Sequence, residues 1–453
     1  MIFRSLCRNA EIGANSYLLD TGTAKIVLDS GMHPEHEGSE ALPRFDLLEE
    51  DELDAAVVTH AHLDHVGTLP VLMRNHRRAK VFLSPATADL AAAMLHNSVN
   101  VMQSKRIELG ITEYPLFEHR EIDDLTDRFE IRANGRPFDL DAEGTVRATF
   151  HDAGHILGAI GVTLEANGKR VFYTGDVNFE DQTLLKGANF PTDPVDSLII
   201  ETTRGASPRP PEYTRESEEK ALADAIARTI ERRGAVLMPV FAIGKTQEVL
   251  TMIHHFKAKR WIPRDTPVYI GGLSTKMTVL YDRHADTTRR TLPGFRIFEE
   301  MELQAGNRKR RGPIPLHPGC IYALSSGMMT EKTVSNQFAR LGFLENKKNS
   351  LFFVGYADPA SPGGRLRHAV PGDKVVLDPK EPAVELRCEM KIFDFSGHAT
   401  RDTLLDFILR LNPRKTFLVH GDPAAAQWFQ QQLAAKVPEM QVVIPEPGVN
   451  YEV

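Results

Sequence analysis

Apolar and polar positions divide the chain into three stretches of different texture. Up to about residue 203, short β-rich runs alternate with turn signals: 16–19, then 24–28 ending at Asp29-Ser30-Gly31, then 53–59 running into His60-Ala61-His62-Leu63-Asp64-His65. Ser84-Pro85 supplies a cap and a helix-compatible first residue, so a helix is expected over 86–99, apolar at Leu90, Met94 and Leu95, and another over 121–129. Residues 145–150 read as a strand leading to Asp152-Ala153-Gly154-His155. A hairpin follows, with arms 159–166 and 170–174 joined by Asn167-Gly168 and leading to Gly175-Asp176. Its open ends lie side by side, which places His155 and Asp176 at one end of a sheet. Residues 195–200 form a further buried strand ending at Glu201.

From 204 to about 386, helices alternate with short apolar strands, the texture of a parallel, doubly wound unit. Helical 216–232 precedes a strand at 235–238, helical 246–256 precedes 268–270, and further strands are expected at 321–324 and 351–354. Small or polar residues follow these strands: Gly244-Lys245, Gly271-Gly272, Ser325-Ser326-Gly327 and Gly355-Tyr356. Ligands bind beyond the carboxyl ends of such strands. The last stretch reads as a βαβ unit: a strand at 391–395 leading to Ser396-Gly397-His398, a helix over 402–411 stopped by Asn412-Pro413, and a returning strand at 415–419 ending at His420. Strands joined in this way would make His398 and His420 neighbours. Residues 1–203 and 387–453 then make one domain, interrupted by a second spanning 204–386.

A length of 453 residues exceeds one ordinary core and agrees with that division. With 61 acidic and 54 basic residues the net charge is -7, so global charge announces no nucleic-acid partner and any basic surface must be local. Arg308-Lys309-Arg310-Arg311 is one candidate patch. Cys7, Cys320 and Cys388 are scattered with no CxxC, which argues against disulfides and thiolate zinc and suits a reducing cytosol. The first residues lack a signal-peptide core and no apolar stretch is long enough to span a bilayer, so a soluble, cytoplasmic protein without a membrane partner is expected.

Metals must therefore use histidine and carboxylate. Histidines two apart cannot share a helix face, but at a strand end turning into a tight loop they can converge on one ion. His60, His62 and His155 are expected to hold one ion and Asp64, His65 and His420 a second, with Asp176 bridging through its two oxygens. Ions held roughly 3.5–4 Å apart let a shared water become a hydroxide nucleophile at neutral pH. His151 is not expected to ligate, because one histidine of that loop fills the vacant place, and His254 and His255 read as surface residues of a helix. Gly244-Lys245-Thr246 matches the end of a P-loop, but Pro239 stands where its first glycine belongs, so no ATP site is expected.

His60-Ala61-His62-Leu63-Asp64-His65-Val66-Gly67, Asp29, His155 and Asp176 resemble the motifs of the metallo-β-lactamase fold. Phe395-Ser396-Gly397-His398-Ala399 and Phe417-Leu418-Val419-His420-Gly421 are similar to motifs B and C of the β-CASP nucleases, and Glu201 in Ile200-Glu201-Thr202-Thr203 to motif A. Residues 239–248, Ser325-Ser326-Gly327-Met328 and Gly355-Tyr356 resemble the β-CASP insertion, so the likeness covers nearly the whole chain. It implies an α/β fold: a metallo-β-lactamase αββα sandwich interrupted by a β-CASP domain with a parallel, doubly wound sheet.

It also implies an RNA-processing nuclease similar to the cleavage-and-polyadenylation endonuclease and its prokaryotic relatives, with two zinc ions per chain, manganese being accepted by the same donors. RNA is the implied substrate, because DNA-directed relatives tend to carry Val where this chain has His420, and a second copy of the chain is a further candidate partner. In that family His398 matches the general acid, Glu201 the carboxylate that orients it, and Asp64 a member of the catalytic set. Asp29 supports the metal loop through hydrogen bonds. Lys245, Ser325, Ser326 and Arg365 become candidate RNA contacts. Arg204, Thr400 and Glu331-Lys332 depart from the family pattern, leave the ligand set intact and bear on substrate preference.

The chemistry independently asks for the same parts. Phosphodiester hydrolysis needs an activated water, relief of charge on the phosphoryl oxygens and a proton for the leaving alkoxide, and a histidine outside both ligand sets suits the last task. Competing readings are a metallo-hydrolase of a small ester, thioester or phosphodiester, and an RNA-binding scaffold without catalysis. Eroded ligands would mark the scaffold, and every ligand position here is filled.

Overall fold

The computed structural model describes residues 1–305 and 314–453, so the Arg308-Lys309-Arg310-Arg311 run lies outside the described residues. The chain divides into two compact units: Met1–Asp181, Lys186–Arg209 and His398–Val453 form one, Gln182–Leu185 and Pro210–Gly397 the other.

Two seven-stranded sheets build the first unit. One runs Asn450–Glu452, Ile2–Ser5, Tyr17–Asp20, Lys25–Leu28, Ala55–Val57, Lys80–Leu83, Phe129–Ile131; the other runs Gln441–Val443, Lys415–Val419, Ser197–Glu201, Lys169–Tyr173, Ile160–Ala166, Arg147–Asp152, Phe138–Asp139. Strand alternation sorts side chains between layers. Ile199, Phe417 and Val419 face inward with Phe3, Tyr17, Ile26, Val57, Phe150 and Tyr173, whereas Leu198, Ile200 and Leu418 face outward. The outward set is covered by Leu404, Ile408, Phe429 and Leu433 of the helices Arg401–Leu411 and Pro423–Lys436. Near the first sheet, helix Pro85–Leu109 starts at Ser84, whose hydroxyl accepts the Thr87 amide at 3.2 Å, and ends at Gly110 in the left-handed region, where glycine bears no Cβ penalty.

What positions the site is the direction of five strands. Lys25–Leu28 pairs parallel with Ala55–Val57, and Ser197–Glu201 lies parallel between Lys169–Tyr173 and Lys415–Val419. Parallel neighbours end on a common edge. The residues at or just past those ends, Asp29, His60, Asp176, Glu201 and His420, therefore come from distant sequence to shared sheet edges.

In the second unit, six parallel strands run in the order Leu303–Ala305, Val268–Ile270, Ile321–Leu324, Val236–Pro239, Ser350–Phe353, Glu389–Ile392; helix Arg215–Glu231 leads into the first of them in sequence and Lys245–Ala258 is among its crossovers. Two sequence expectations are corrected. The tail is not a βαβ unit, since the strand before His398 is Glu389–Ile392, paired with Ser350–Phe353, while Lys415–Val419 pairs with Ser197–Glu201. Both strands were legible locally, but a parallel partner is chosen by long-range burial and local pattern carries no record of it. The second helix is His119–Thr126, shorter than expected at its end, because Phe129–Ile131 instead adds an edge strand beside Lys80–Leu83.

Candidate metal centre

The loop after Ala55–Val57 turns at His60 and His62 into the single helical turn Leu63–Val66, presenting His60, His62, Asp64 and His65 on one side. Glycines make the close approaches that this requires. Gly175, at φ +53, has Thr59 where a Cβ would stand 2.8 Å away, and a Cβ on Gly31 would lie 1.8 Å from the Asp64 carbonyl oxygen. His420 itself adopts φ +48 at its strand end, a conformation that tight turns at functional sites tolerate.

Ligand-type atoms converge in two groups that share Asp176. His60 Nε2 and His155 Nε2 lie 3.1 Å and 3.2 Å from His62 Nδ1, and both are 3.6 Å from Asp176 Oδ2. His420 Nε2 lies 3.3 Å and His65 Nε2 3.8 Å from Asp64 Oδ2, while Asp176 Oδ1 sits 3.0 Å from His420 Nδ1 and 3.3 Å from His65 Nε2. The carboxylate of Asp176 thus turns one oxygen to each group. His151 takes no part: its Nε2 pairs with Thr163 Oγ1 at 2.9 Å.

Behind the ligand-type atoms lies a layer that fixes the rings. Asp29, 1% exposed, accepts from the Thr59 amide at 2.7 Å, the Thr59 hydroxyl at 2.8 Å, the Tyr173 hydroxyl at 2.7 Å and His65 Nδ1 at 2.8 Å. Since Thr59 gives its hydroxyl proton to Asp29, its oxygen receives the proton of His60 Nδ1 at 3.1 Å. Both imidazoles are thereby anchored through Nδ1, with Nε2 turned to the centre. Thr203 Oγ1 contacts His420 Nδ1 at 3.0 Å. Thr59, Tyr173 and Thr203 were missed by sequence reasoning; each flanks a motif residue by one to three positions or ends a strand at the site, and that adjacency was the only signal.

Glu201 and His398 stand together beside these groups. Glu201 Oε1 accepts from the Val177 amide at 2.8 Å and lies 3.2 Å from His398 Nδ1, which is 3.9 Å from Asp176 Oδ2. Burial works against a charge on His398, but the carboxylates of Glu201 and Asp176 outweigh it and hold the imidazole above its ordinary value. Burial, with His65 nearby, strips the charge from His60, and burial does the same to His62. At His420 burial is outweighed by Asp176 and Asp64, which lift the imidazole to about 10.

Three family models match in succession: the metallo-β-lactamase superfamily over residues 10–227, the β-CASP domain over 246–366, and a Zn-dependent metallo-hydrolase RNA specificity domain over 383–445. The chain belongs to the β-CASP group of the metallo-β-lactamase superfamily. As a β-CASP protein it is 29% identical over 91% of its length to the transcription termination factor FttA of Pyrococcus horikoshii, of which it spans 65%. It is 27% identical to an RNase J-like protein of Methanocaldococcus jannaschii, covering 96% of this chain and 97% of that one. Its fold matches the crystal structure of a protein of unknown function from Enterococcus faecalis V583 at a TM-score of 0.59, 14% identity and full coverage, 99% of that chain.

The superfamily fold implies divalent metal binding, and the residues of this β-CASP chain fit it. Glu201 Oε2 is buried with no hydrogen-bond partner among the described residues, and Asp176 Oδ1 is buried against the His420 and His65 nitrogens, where like donors crowd one carboxylate, a costly state that a cation relieves. Neutral His60 and His62 offer lone pairs, and the carboxylates that keep protons on His420 mark a place that calls for positive charge. Among the described residues, the groups whose ligand atoms converge are His60-His62-His155-Asp176, Asp64-His65-His420 and Asp176-Glu201-His420.

The candidate RNA contacts belong to the second unit. Lys245 Nζ donates to the Phe395 carbonyl, and the Arg365 guanidinium donates to the carbonyls of Ala360 and, at 3.0 Å, Val376. Ser326 Oγ is 3.2 Å from Thr330 Oγ1, and the Ser325 carbonyl receives the Ser335 amide at 3.0 Å. Lys245 and Arg365 are thus engaged with backbone carbonyls as the chain stands. His254 and His255 are half-buried against Phe295 and Trp261 instead of free on the surface, because helix Lys245–Ala258 turns that flank toward the two aromatic rings.

Proposed function

We propose that this protein is a zinc-dependent RNA phosphodiester hydrolase that cuts endonucleolytically. The observation that carries the reading is Asp176 presenting one oxygen to each of two histidine-containing groups, with His398 and Glu201 beside both. His60, His62 and His155 would hold one zinc ion, Asp64, His65 and His420 the other, and Asp176 both; histidine-rich sets with carboxylate suit zinc. Two such ions supply Lewis acidity, which lowers the pKa of a water and offsets charge on the phosphoryl oxygens.

The chain's own residues do the rest. Glu201 fixes His398 by its Nδ1 and favours its protonated form, so the imidazolium delivers a proton to the departing ribose oxygen. Water's oxygen forms the new bond to phosphorus, the bond from phosphorus to the ribose O3′ breaks, and the proton from His398 completes the 3′-hydroxyl, leaving a 5′-phosphate. Asp29 and Thr59 keep His65 and His60 from rotating during turnover. The RNA specificity domain match and the RNase J-like relative support RNA over a small ester. Buried, unbridged Cys7, Cys320 and Cys388 agree with a reducing cytoplasm, and among the described residues no helix is long and apolar enough to cross a membrane.

The test is digestion of end-labelled single-stranded RNA with metal analysis of the same preparation. About two zinc ions per chain and internal cleavage products are expected. His398→Ala should keep its metals and lose on the order of 10²–10⁴ in turnover. Parental cleavage by His398→Ala with metals in place would refute the acid assignment, and hydrolysis of chromogenic diesters without any RNA cleavage would refute the substrate.

A further inference from the structure

The segment that leads away from the metal loop after Gly31 carries two histidines that the mechanism does not use. Residues 31 and 32, just before them, are tied to the metal loop: the Met32 amide donates to the Leu63 carbonyl at 2.7 Å, the Gly31 amide to the Asn15 carbonyl at 2.9 Å, and the Asn15 amide to the Asp64 carbonyl at 3.0 Å. His33, 8% exposed, has both ring nitrogens engaged. Its Nδ1 accepts from the Glu35 amide at 3.2 Å, so Nε2 carries the proton and points it at Glu11 Oε1, 3.3 Å away. A Cβ on Gly13 would come within 2.6 Å of His33 Cδ2, so backbone closes against this ring.

The other face of His33 is covered by His36, stacked with ring centroids 4.0 Å apart and planes 26° from parallel. His36 is only half-buried, and its ring nitrogens have no hydrogen-bond partner among the described residues. The segment that carries it is pinned. Glu37 accepts from the Tyr114 hydroxyl at 2.5 Å and pairs with Lys105, while Glu113 accepts the Ser39 amide at 2.5 Å. Nor does the pair belong to any group whose ligand atoms converge on an ion. A rigid stack of flat rings with its outer member's donor and acceptor unspent, set beside a site for phosphodiesters, fits the face and edge of a nucleobase.

We propose that His33 and His36 form a platform on which one base of the RNA stacks, next to the loop that carries Asp64. The platform rests on the reading of the site as an RNA hydrolase. It gives a sequence-tolerant grip on an unpaired nucleotide, and His36 supplies the contact while His33 backs it.

Initial-rate kinetics of the zinc-loaded full chain test it, using an unstructured RNA oligonucleotide and a series of the same oligonucleotide with one abasic nucleotide at each position in turn. For the parent, removing the base at one position near the cut should raise KM about fivefold or more. His36→Ala should raise KM on intact RNA by a similar factor and erase the sensitivity at that position, and His36→Phe should restore both. Parental KM and an unchanged abasic profile in His36→Ala overturn the platform while leaving RNA cleavage standing, and failure of His36→Phe to rescue overturns stacking as its basis. A parent that does not cleave RNA overturns both readings, and the parent arm alone reveals it.

Discussion

Asp29 concentrates more of the site's order than any other side chain outside the two metal groups. Its carboxylate takes four donors: the Thr59 amide, the Thr59 hydroxyl, the Tyr173 hydroxyl and His65 Nδ1. All belong to residues that are buried or nearly so. In Asp29→Ala each donor is left without an acceptor, at on the order of 1–3 kcal/mol apiece, so a loss of at least ~4 kcal/mol is expected even if water relieves part of it. Alanine at φ +60 adds about 1 kcal/mol of strain. Asp29→Asn separates the two effects, because asparagine tolerates that backbone and keeps one acceptor oxygen. If the oxygen stays toward His65 and Tyr173, the amide meets the Thr59 N–H, donor against donor, and the cost falls to about 1–3 kcal/mol.

Melting of chelated protein, followed by circular dichroism, reads this directly. At ~2–4 °C per kcal/mol for a unit of this size, Asp29→Ala should melt ~10–20 °C below the parent, with Asp29→Asn between them. Competition with a fluorescent zinc chelator should show metal affinity reduced about 10–100-fold in both variants, since His65 and its neighbour His60 lose the support that anchors their rings. An Asp29→Ala protein that melts within about 3 °C of the parent without metal would refute the four-donor accounting.

Removing one member of the Asp64-His65-His420 group leaves the His60-His62-His155-Asp176 group complete, so His420→Asn, chosen because asparagine accepts φ +48, should bind about one zinc ion in place of two by elemental analysis; two retained ions would contradict the partition. Burial lowers His151 to about 4, below the ~6.5 of the unfolded chain, so the folded state binds fewer protons between those values. Stability from this residue is therefore complete above about pH 6.5 and falls as pH drops toward 4. His151→Gln, which can still pair with Thr163, should lose less stability than the parent between pH 7 and 5 in urea titrations of chelated protein, and an identical pH slope would refute the assignment.

Sequence alone determined which residues stand at the ends of apolar strands, because side-chain alternation and turn chemistry are local. The Asn167-Gly168 hairpin pairs Lys169 with Ala166, and it carries His155 and Asp176 to one edge as its pattern required. The spacing from His60 to His65 likewise sets which atoms a strand end and one helical turn can aim together. Tertiary structure alone decided that Lys415–Val419 pairs with Ser197–Glu201, and so brings His420 within 3.3 Å of Asp64 across 356 residues of chain. It alone assembled Thr59, Tyr173 and His65 around Asp29 and laid His36 on His33. The physical reason is the range of the forces involved: the φ/ψ preference and polarity that mark a strand act between neighbours in sequence, whereas the partner of a parallel strand and of a buried carboxylate is fixed by burial and hydrogen-bond satisfaction summed over the packed core.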